Sequence, residues 1–163
     1  MKRNMAMLLF ATIVSLGAFS QKENSVSAIQ EALEMKNFVF KAESVLPQRG
    51  RSRQLTPEYD LTVRPDTLVA YLPFFGLAYS APIGVNDGGI KFTSLAYNYD
   101  IRKRKKNGWD INISPKDASD VRQLYLTVFD NGRATLRVLS NNRDGITYDG
   151  YVKQGNPVSK KAF

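Results

Sequence analysis

From Tyr59 onward apolar and polar residues alternate with a period of two, broken at short intervals by turn residues, and this restricts the chain to antiparallel β-structure. Tyr59, Leu61 and Val63 alternate with Asp60, Thr62 and Arg64; Pro65-Asp66 is a turn; Leu68, Ala70 and Leu72 follow. A two-residue loop pairs Val63 with Leu68, Leu61 with Ala70 and Tyr59 with Leu72, placing every apolar group on one face. Tyr97, Tyr99 and Ile101 form a second hairpin with Trp109, Ile111 and Ile113, around the loop Arg102 to Gly108. The third turns at Asp130-Asn131-Gly132. A two-residue Asn-Gly loop would set Leu126 against Arg137 and Leu124 against Leu139. A three-residue loop with Gly132 left-handed instead pairs Leu126 with Leu136, Val128 with Ala134 and Leu124 with Val138, and this is the register expected. Ile146, Tyr148 and Val152 then point inward on a last strand.

Before this region, residues 21–36 read as one helix with Val26, Ile29, Ala32 and Leu33 on one face and Ser27 with Gln30 as a capping box. Residues 37–42 are a first strand, stopped by Leu46-Pro47, and Gln48 to Gln54 is an Arg-rich connector. The expected fold is α+β, mostly β: an N-terminal helix followed by about eight antiparallel strands forming a curved sheet or barrel-like meander, with the helix over one opening or face. A frayed tail is expected from about residue 154.

The first twenty residues set the compartment. Lys2 and Arg3 precede an apolar run from Met5 to Val14 broken only by Thr12, and Ala18 and Ser20 stand three and one before Gln21. This is the pattern of a secretory signal peptide, so 1–20 read as a leader and 21–163 as a single domain. The run is shorter than the roughly 20 residues of a membrane-spanning helix, and the chain has no Cys to carry a lipid anchor. The expected product is soluble, periplasmic or extracellular, not a lipoprotein and not membrane-spanning.

The chain has neither His nor Cys. That removes the commonest general base, the thiol nucleophile and the usual soft metal ligands, and no disulfide can support the fold. No phosphate-cradling glycine loop or serine nucleophile elbow is present. No catalytic residue, metal or cofactor is therefore expected. Two of the cations behind the net charge of +8 lie in the leader, which leaves +6. A basic exported chain favours an anionic cell-envelope glycan or lipid, or another envelope protein, over nucleic acid.

Two stretches carry a resemblance. One is Tyr71-Leu72-Pro73-Phe74-Phe75-Gly76-Leu77-Ala78-Tyr79-Ser80-Ala81-Pro82 with Asp87-Gly88-Gly89-Ile90-Lys91-Phe92; the other is Asn131-Gly132-Arg133-Ala134 with Ser140-Asn141-Asn142-Arg143 and Ile146-Thr147-Tyr148-Asp149-Gly150. Together they resemble, over roughly residues 35–152, an uncharacterised family of exported single-domain proteins of Bacteroidetes-type bacteria, a domain of unknown function. Leu77 stands where the resemblance implies a basic residue. The family supplies no catalytic residues.

Three features compete as sites. Phe74, Phe75 and Tyr79 sit between Pro73 and Pro82 and form either a core plug or a binding rim; the plug is favoured. Arg102, Lys103, Arg104, Lys105 and Lys106 form a basic hairpin tip, either gripping anions or simply solvated, with solvation favoured. If Ile101 pairs with Trp109, Asp100 and Asp110 oppose each other and would need a bound Ca²⁺, a shared proton or neutralisation by the basic run, the last being favoured. Arg143 reads as a clamp for carbonyls. The leading expectation is a non-catalytic binding or interaction module; a lipocalin-like carrier and a hydrolase built on Asp100 and Asp110 are alternatives. N-terminal sequencing of the exported protein is expected to begin at Gln21; a product still carrying Met1 would remove the leader.

Overall fold

The computed structural model describes residues 26–77 and 88–155. A short helix, 26–34, precedes ten antiparallel strands: β1 (Phe38–Pro47), β2 (Arg53–Gln54), β3 (Asp60–Arg64), β4 (Thr67–Leu72), β5 (Ile90–Ser94), β6 (Tyr97–Lys103), β7 (Trp109–Pro115), β8 (Val121–Val128), β9 (Arg133–Ser140) and β10 (Ile146–Gln154). Nine lie side by side in the order β5-β4-β3-β1-β10-β9-β8-β7-β6, and β2 adds to β1. Strands β5 and β6 are thus opposite edges of the sheet, yet only Leu95 and Ala96 separate them in sequence. Laid flat at ~4.8 Å per strand, the edges would stand about 38 Å apart. The chain from Ser94 to Tyr97 spans at most about 11 Å. The sheet therefore curls into a nearly closed barrel.

The corner that joins the edges is held by several bonds. Lys116 N–H donates to the Ala96 carbonyl at 2.8 Å, and Leu95 N–H donates to Asp117 Oδ2 at 2.9 Å. The fully buried Ser94 hydroxyl lies 2.9 Å from the Ala96 carbonyl and also reaches the Asp117 carboxylate, and these two acceptors share its one proton.

The inward half of each alternating strand fills the barrel. Phe38 and Phe40 from β1, Leu61 and Val63 from β3, Trp109, Ile111 and Ile113 from β7 and Tyr148 from β10 belong to one continuous cluster. The helix adds Ala32 and Leu33 to it, with Val26 and Ile29 packed alongside. Its C-terminus is closed by Asn37 N–H to Ala32 O (2.9 Å) and Lys36 N–H to Leu33 O (3.2 Å), with Lys36 at φ 52°; this is the Schellman arrangement, here without glycine. Tyr99 of β6 donates its hydroxyl to Leu33 O at 2.7 Å, which ties the helix end to an edge strand. The Tyr97 hydroxyl donates to Arg64 O and so ties the same edge strand to the β3–β4 turn.

The first and third hairpins have the expected registers. Leu61 pairs with Ala70 and Val63 with Leu68; Leu124 pairs with Val138, Leu126 with Leu136 and Val128 with Ala134, with Gly132 at φ 80°. Other expectations are corrected. The described helix already includes Val26 and Ser27, so Ser27 lies inside it rather than at its cap, and residues 21–25 lie outside the described part. Strand β1 runs through Leu46-Pro47: Pro47 is its last residue, where a missing N–H costs least. A bulge between Ala42 and Ser44 bends β1, so that its first half pairs with β3 and its second with β2. Two strands, β2 and β5, exceed the eight expected. Gln154 still belongs to β10 and Gly155 N–H donates to Asn37 O at 2.9 Å, so the expected fraying could begin only within 156–163, outside the described residues.

The second hairpin is shifted by two residues. Ile101 pairs with Ile111, not Trp109, and Lys103 pairs with Trp109. The cause is the loop: Asn107 and Gly108 both have positive φ (38° and 105°), and Arg104 N–H donates to Gly108 O at 3.0 Å, so the turn closes at 104–108 and β6 extends through Lys103. Faces are conserved because the slip is even.

Gly132→Ala is expected to lower stability by about 1–2 kcal/mol for its left-handed backbone alone, since the nearest atom a Cβ would meet is Ile29 Cδ1 at 3.5 Å. Gly108→Ala should cost more, because its Cβ would run into the Val128 carbonyl as well. Thermal melting of both variants checks the order.

Candidate functional site

The segment after β4 is built by the strand's own alternation. Leu72 points inward, Tyr71 outward, and Pro73, which has no N–H, ends the pairing. The Pro73 carbonyl accepts a 2.7 Å hydrogen bond from the hydroxyl of Tyr148, which rises through the core. Burial pushes the Tyr148 hydroxyl well above its ordinary pKa, the Arg143 charge opposing, so it stays a donor. Phe74 and Phe75 are half-buried and pack against the core without being lost in it. They are thus neither a fully buried plug nor free of the core. Tyr79 lies outside the described residues.

Aromatic rings at this end carry cations. Lys91 Nζ lies 4.6 Å from the Tyr71 centroid, Arg53 Cζ 4.8 Å from Phe75 and Arg143 Cζ 5.3 Å from Phe74. Tyr59 stacks on Tyr71 with centroids 5.4 Å apart and planes at 20°. Tyr59, Tyr71, Phe74, Phe75 and Lys91, with Gly88 and Gly89, line a cleft of about 240 Å³. Sequence reasoning missed Tyr59, Arg53 and Lys91 here. Lys91 could have been found from the alternation in Ile90-Lys91-Phe92-Thr93, which was masked by the turn-like Gly88-Gly89 before it; Arg53 gave no signal beyond the Arg-rich connector.

Arg143 is a clamp, as its position at a turn suggested. Its Nη1 donates to Gly88 O at 2.7 Å and Gly89 O at 3.2 Å, and its Nε pairs with Asp120 at 3.0 Å. One side chain therefore joins the β9–β10 loop to the chain before β5 and to the loop before β8. Asp144 N–H donates to Leu77 O at 3.1 Å, fastening the 73–77 segment to the same loop; Leu77, where a basic residue was implied, is exposed.

The basic run divides. Arg102 and Lys103 lie in β6 rather than in the loop, and the tip proper is 104–108. Arg102 pairs with Asp100 at 2.9 Å; Arg104 pairs with Asp110 at 3.5 Å and lies over Phe129 at 5.5 Å. Lys103, Lys105 and Lys106 are exposed. The shifted register sets Asp100 opposite Asn112 and Asp110 opposite Arg102, so the two carboxylates do not face each other as the Ile101–Trp109 pairing would have had them. Their neutralisation by the neighbouring arginines is what this geometry provides. Thr127 also donates to Asp110 Oδ1 at 2.8 Å. Among the described residues, no three or more acidic side chains gather as a metal site requires, and no helix is long and apolar enough to cross a membrane.

Arg143→Ala is expected to lower stability by about 2–3 kcal/mol, since it strands two carbonyls and a carboxylate, and Arg143→Lys should recover little of this because an ammonium lacks the fork. Melting curves decide it. At the barrel corner, hydrogen bonding with the Ser94 hydroxyl and then the Leu95 N–H holds the Asp117 carboxyl below its ordinary value of 3.8. A depressed folded-state pKa gives stability that is complete above the unfolded value and lost as pH falls through the folded one. Asp117→Ala should thus melt earlier than wild type at neutral pH, with the difference shrinking as pH is taken below 3.8.

The fold has a solved counterpart. A DUF4251 family protein from Bacteroides eggerthii, known from a crystal structure, superposes with a TM-score of 0.63 at 20% identity, over 80% of this chain and 87% of that one. No curated protein matches. The model of the family described as domain of unknown function (DUF4251) matches residues 20–152. This chain belongs to the DUF4251 family.

Proposed function

We propose that this chain is an exported, non-catalytic β domain that works by binding, in the periplasm or at the cell surface, and that its partner is an anionic envelope component: a glycan, a lipid or an envelope protein. The observation that carries this reading is the rim after β4, where Tyr71, Phe74 and Phe75 each hold a cation against the ring and stay partly accessible. Rings with cations on them offer flat apolar contact and positive charge in one place, which suits recognition more than bond-making. A carrier is less well supported, because among the described residues the inward side chains of the strands form one continuous buried cluster. Asp100 and Asp110 line one cleft, but the slipped β6–β7 register takes them out of direct opposition and each pairs with an arginine, which supports neutralisation over a proton-sharing pair.

Immobilised protein incubated with separated envelope polysaccharide, lipid and protein fractions tests the proposal. Retention of one fraction is expected for wild type and for a variant with Lys103, Lys105 and Lys106 changed to Gln, and is expected to fall sharply for Phe75→Ala. The triple variant should melt within about 1 kcal/mol of wild type, as exposed charges do. Chemical turnover of the retained component, abolished by changing one acidic side chain, would replace binding with catalysis.

A further inference from the structure

The outer face of β6, β7 and β8 holds a cleft of about 370 Å³, and every residue of its lining belongs to those three strands. The ladders set its polar side chains in two rows: Asp100, Asn112 and Tyr125 in one, Arg102, Asp110 and Thr127 in the other. With ~4.8 Å between strands and ~3.4 Å per residue along them, the patch measures about 10 Å by 7 Å. Tyr125 is exposed on it. Its hydroxyl donates to Gln123 Oε1 at 2.7 Å, and Gln123 Nε2 donates to Asn112 Oδ1 at 2.7 Å. An exposed ring is thus held in place through its polar edge. Tyr71 and Phe75 each carry a cation on the ring, whereas none lies over Tyr125 among the described residues. Both carboxylates of the lining are opposed: Asp100 Oδ2 meets Arg102 at 2.9 Å and Asp110 Oδ2 meets Arg104 at 3.5 Å. A cation entering here has to displace an arginine, and an anion meets two carboxylates at close range. Arg137, the partner of Tyr125 on β9, stands outside the lining. The balance of charge in the cleft favours a ligand with none.

We infer that this cleft binds one uncharged pyranose unit of a neutral glycan, with Tyr125 as the stacking surface and Asp100, Arg102 and Asn112 as the hydrogen-bonding groups. The site is separate from the rim after β4 and goes beyond the anionic partner proposed for it. Each sugar hydroxyl both donates and accepts, and planar carboxylate, guanidinium and amide groups offer paired acceptors and donors to neighbouring hydroxyls. Arg102 takes Asp100 Oδ2, which leaves Oδ1 as the acceptor. Gln123 takes Asn112 Oδ1, which leaves the amide N–H groups as donors. Carbon-bound hydrogens on one face of the sugar pack against the Tyr125 ring. The volume lies near the lower end of the range for small-ligand pockets, roughly 300–1,000 Å³. An extended peptide fits less well, since it adds to a free strand edge, and β7 and β8 are paired on both sides. Rows fixed by a ladder and a ring fixed by a hydrogen bond lower the ordering cost of binding.

The test is titration of the full chain with neutral trisaccharides of glucose, mannose and galactose, with trigalacturonate, and with Ca²⁺, followed by NMR shifts and calorimetry at two salt concentrations. At least one neutral trisaccharide is expected to bind with an affinity that salt leaves unchanged, and to shift signals of Tyr125, Asn112 and Thr127. Tyr125→Ala and Asn112→Ala should each weaken it about tenfold, the size of one ring contact or one hydrogen bond. Tyr125→Phe keeps the ring and should retain most of the affinity. Melting curves of the three variants separate folding defects from lost contacts. No binding of any neutral trisaccharide, tighter binding of trigalacturonate, binding indifferent to both alanine variants, or Ca²⁺ shifting the same signals in the absence of sugar each overturns the assignment. Phe75→Ala should leave this binding unchanged, so the sugar site and the rim can fail independently of each other.

Discussion

The meeting of the two edge strands at Leu95-Ala96 is the constraint on which the rest of the molecule depends. A nine-strand sheet whose ends are joined by two residues has one inside and one outside, and each alternating strand must commit its apolar half to the same enclosed volume. Without disulfides, that shared volume is what holds the chain together. It explains why a fully buried serine and a backbone bond to Asp117 sit at so small a corner: loosening it would uncouple β5 from β6 and open the cluster to water.

The described strands enclose one continuous buried cluster, and the chain between them must be closed off from water at the ends. The helix closes one side through Leu33 and Tyr99. Elsewhere closure falls to loops, and loops have backbone groups to satisfy. Arg143 does this for Gly88 and Gly89 and Tyr148 does it for Pro73, so the segment carrying Phe74 and Phe75 is anchored by side chains from β10 and the turn before it. An aromatic segment held this way presents its rings at fixed positions, which lowers the ordering cost of binding.

Registers were legible wherever the turn chemistry was local. At Asp130-Asn131-Gly132 the face-sorting of Leu124, Leu126 and Val128 against Val138, Leu136 and Ala134 decided between two loops, and the glycine's left-handed backbone was required by the winner. The same logic failed at 102–108, because face-sorting is blind to an even slip and the left-handed pair Asn107-Gly108 sits inside a run of cations that says nothing about pairing. Strand β5 escaped because Gly88-Gly89 reads as a turn and only five residues follow. Of the candidate site, Phe74 and Phe75 were visible as an aromatic cluster. Arg53 and Lys91 were not: Lys91 reaches Tyr71 through the β4–β5 ladder, whose second strand was not expected, and Arg53 reaches Phe75 from the short strand β2 inside the connector.

The two positive regions of the surface differ in how their charge is arranged. At the hairpin, Arg102 and Arg104 face Asp100 and Asp110, Lys103 is exposed on β6, and Lys105 and Lys106 are exposed on the turn. The lysine charge discourages edge-to-edge pairing at β6 and has little geometry with which to choose a ligand. At the rim, cations rest on rings and border a cleft whose described lining includes Lys91. Specificity requires charge and shape at one spot, because charge alone steers any anion and shape alone attracts any ring. At the rim the consecutive strands β3, β4 and β5 bring ring and cation together, with Lys91 as the ladder partner of Tyr71.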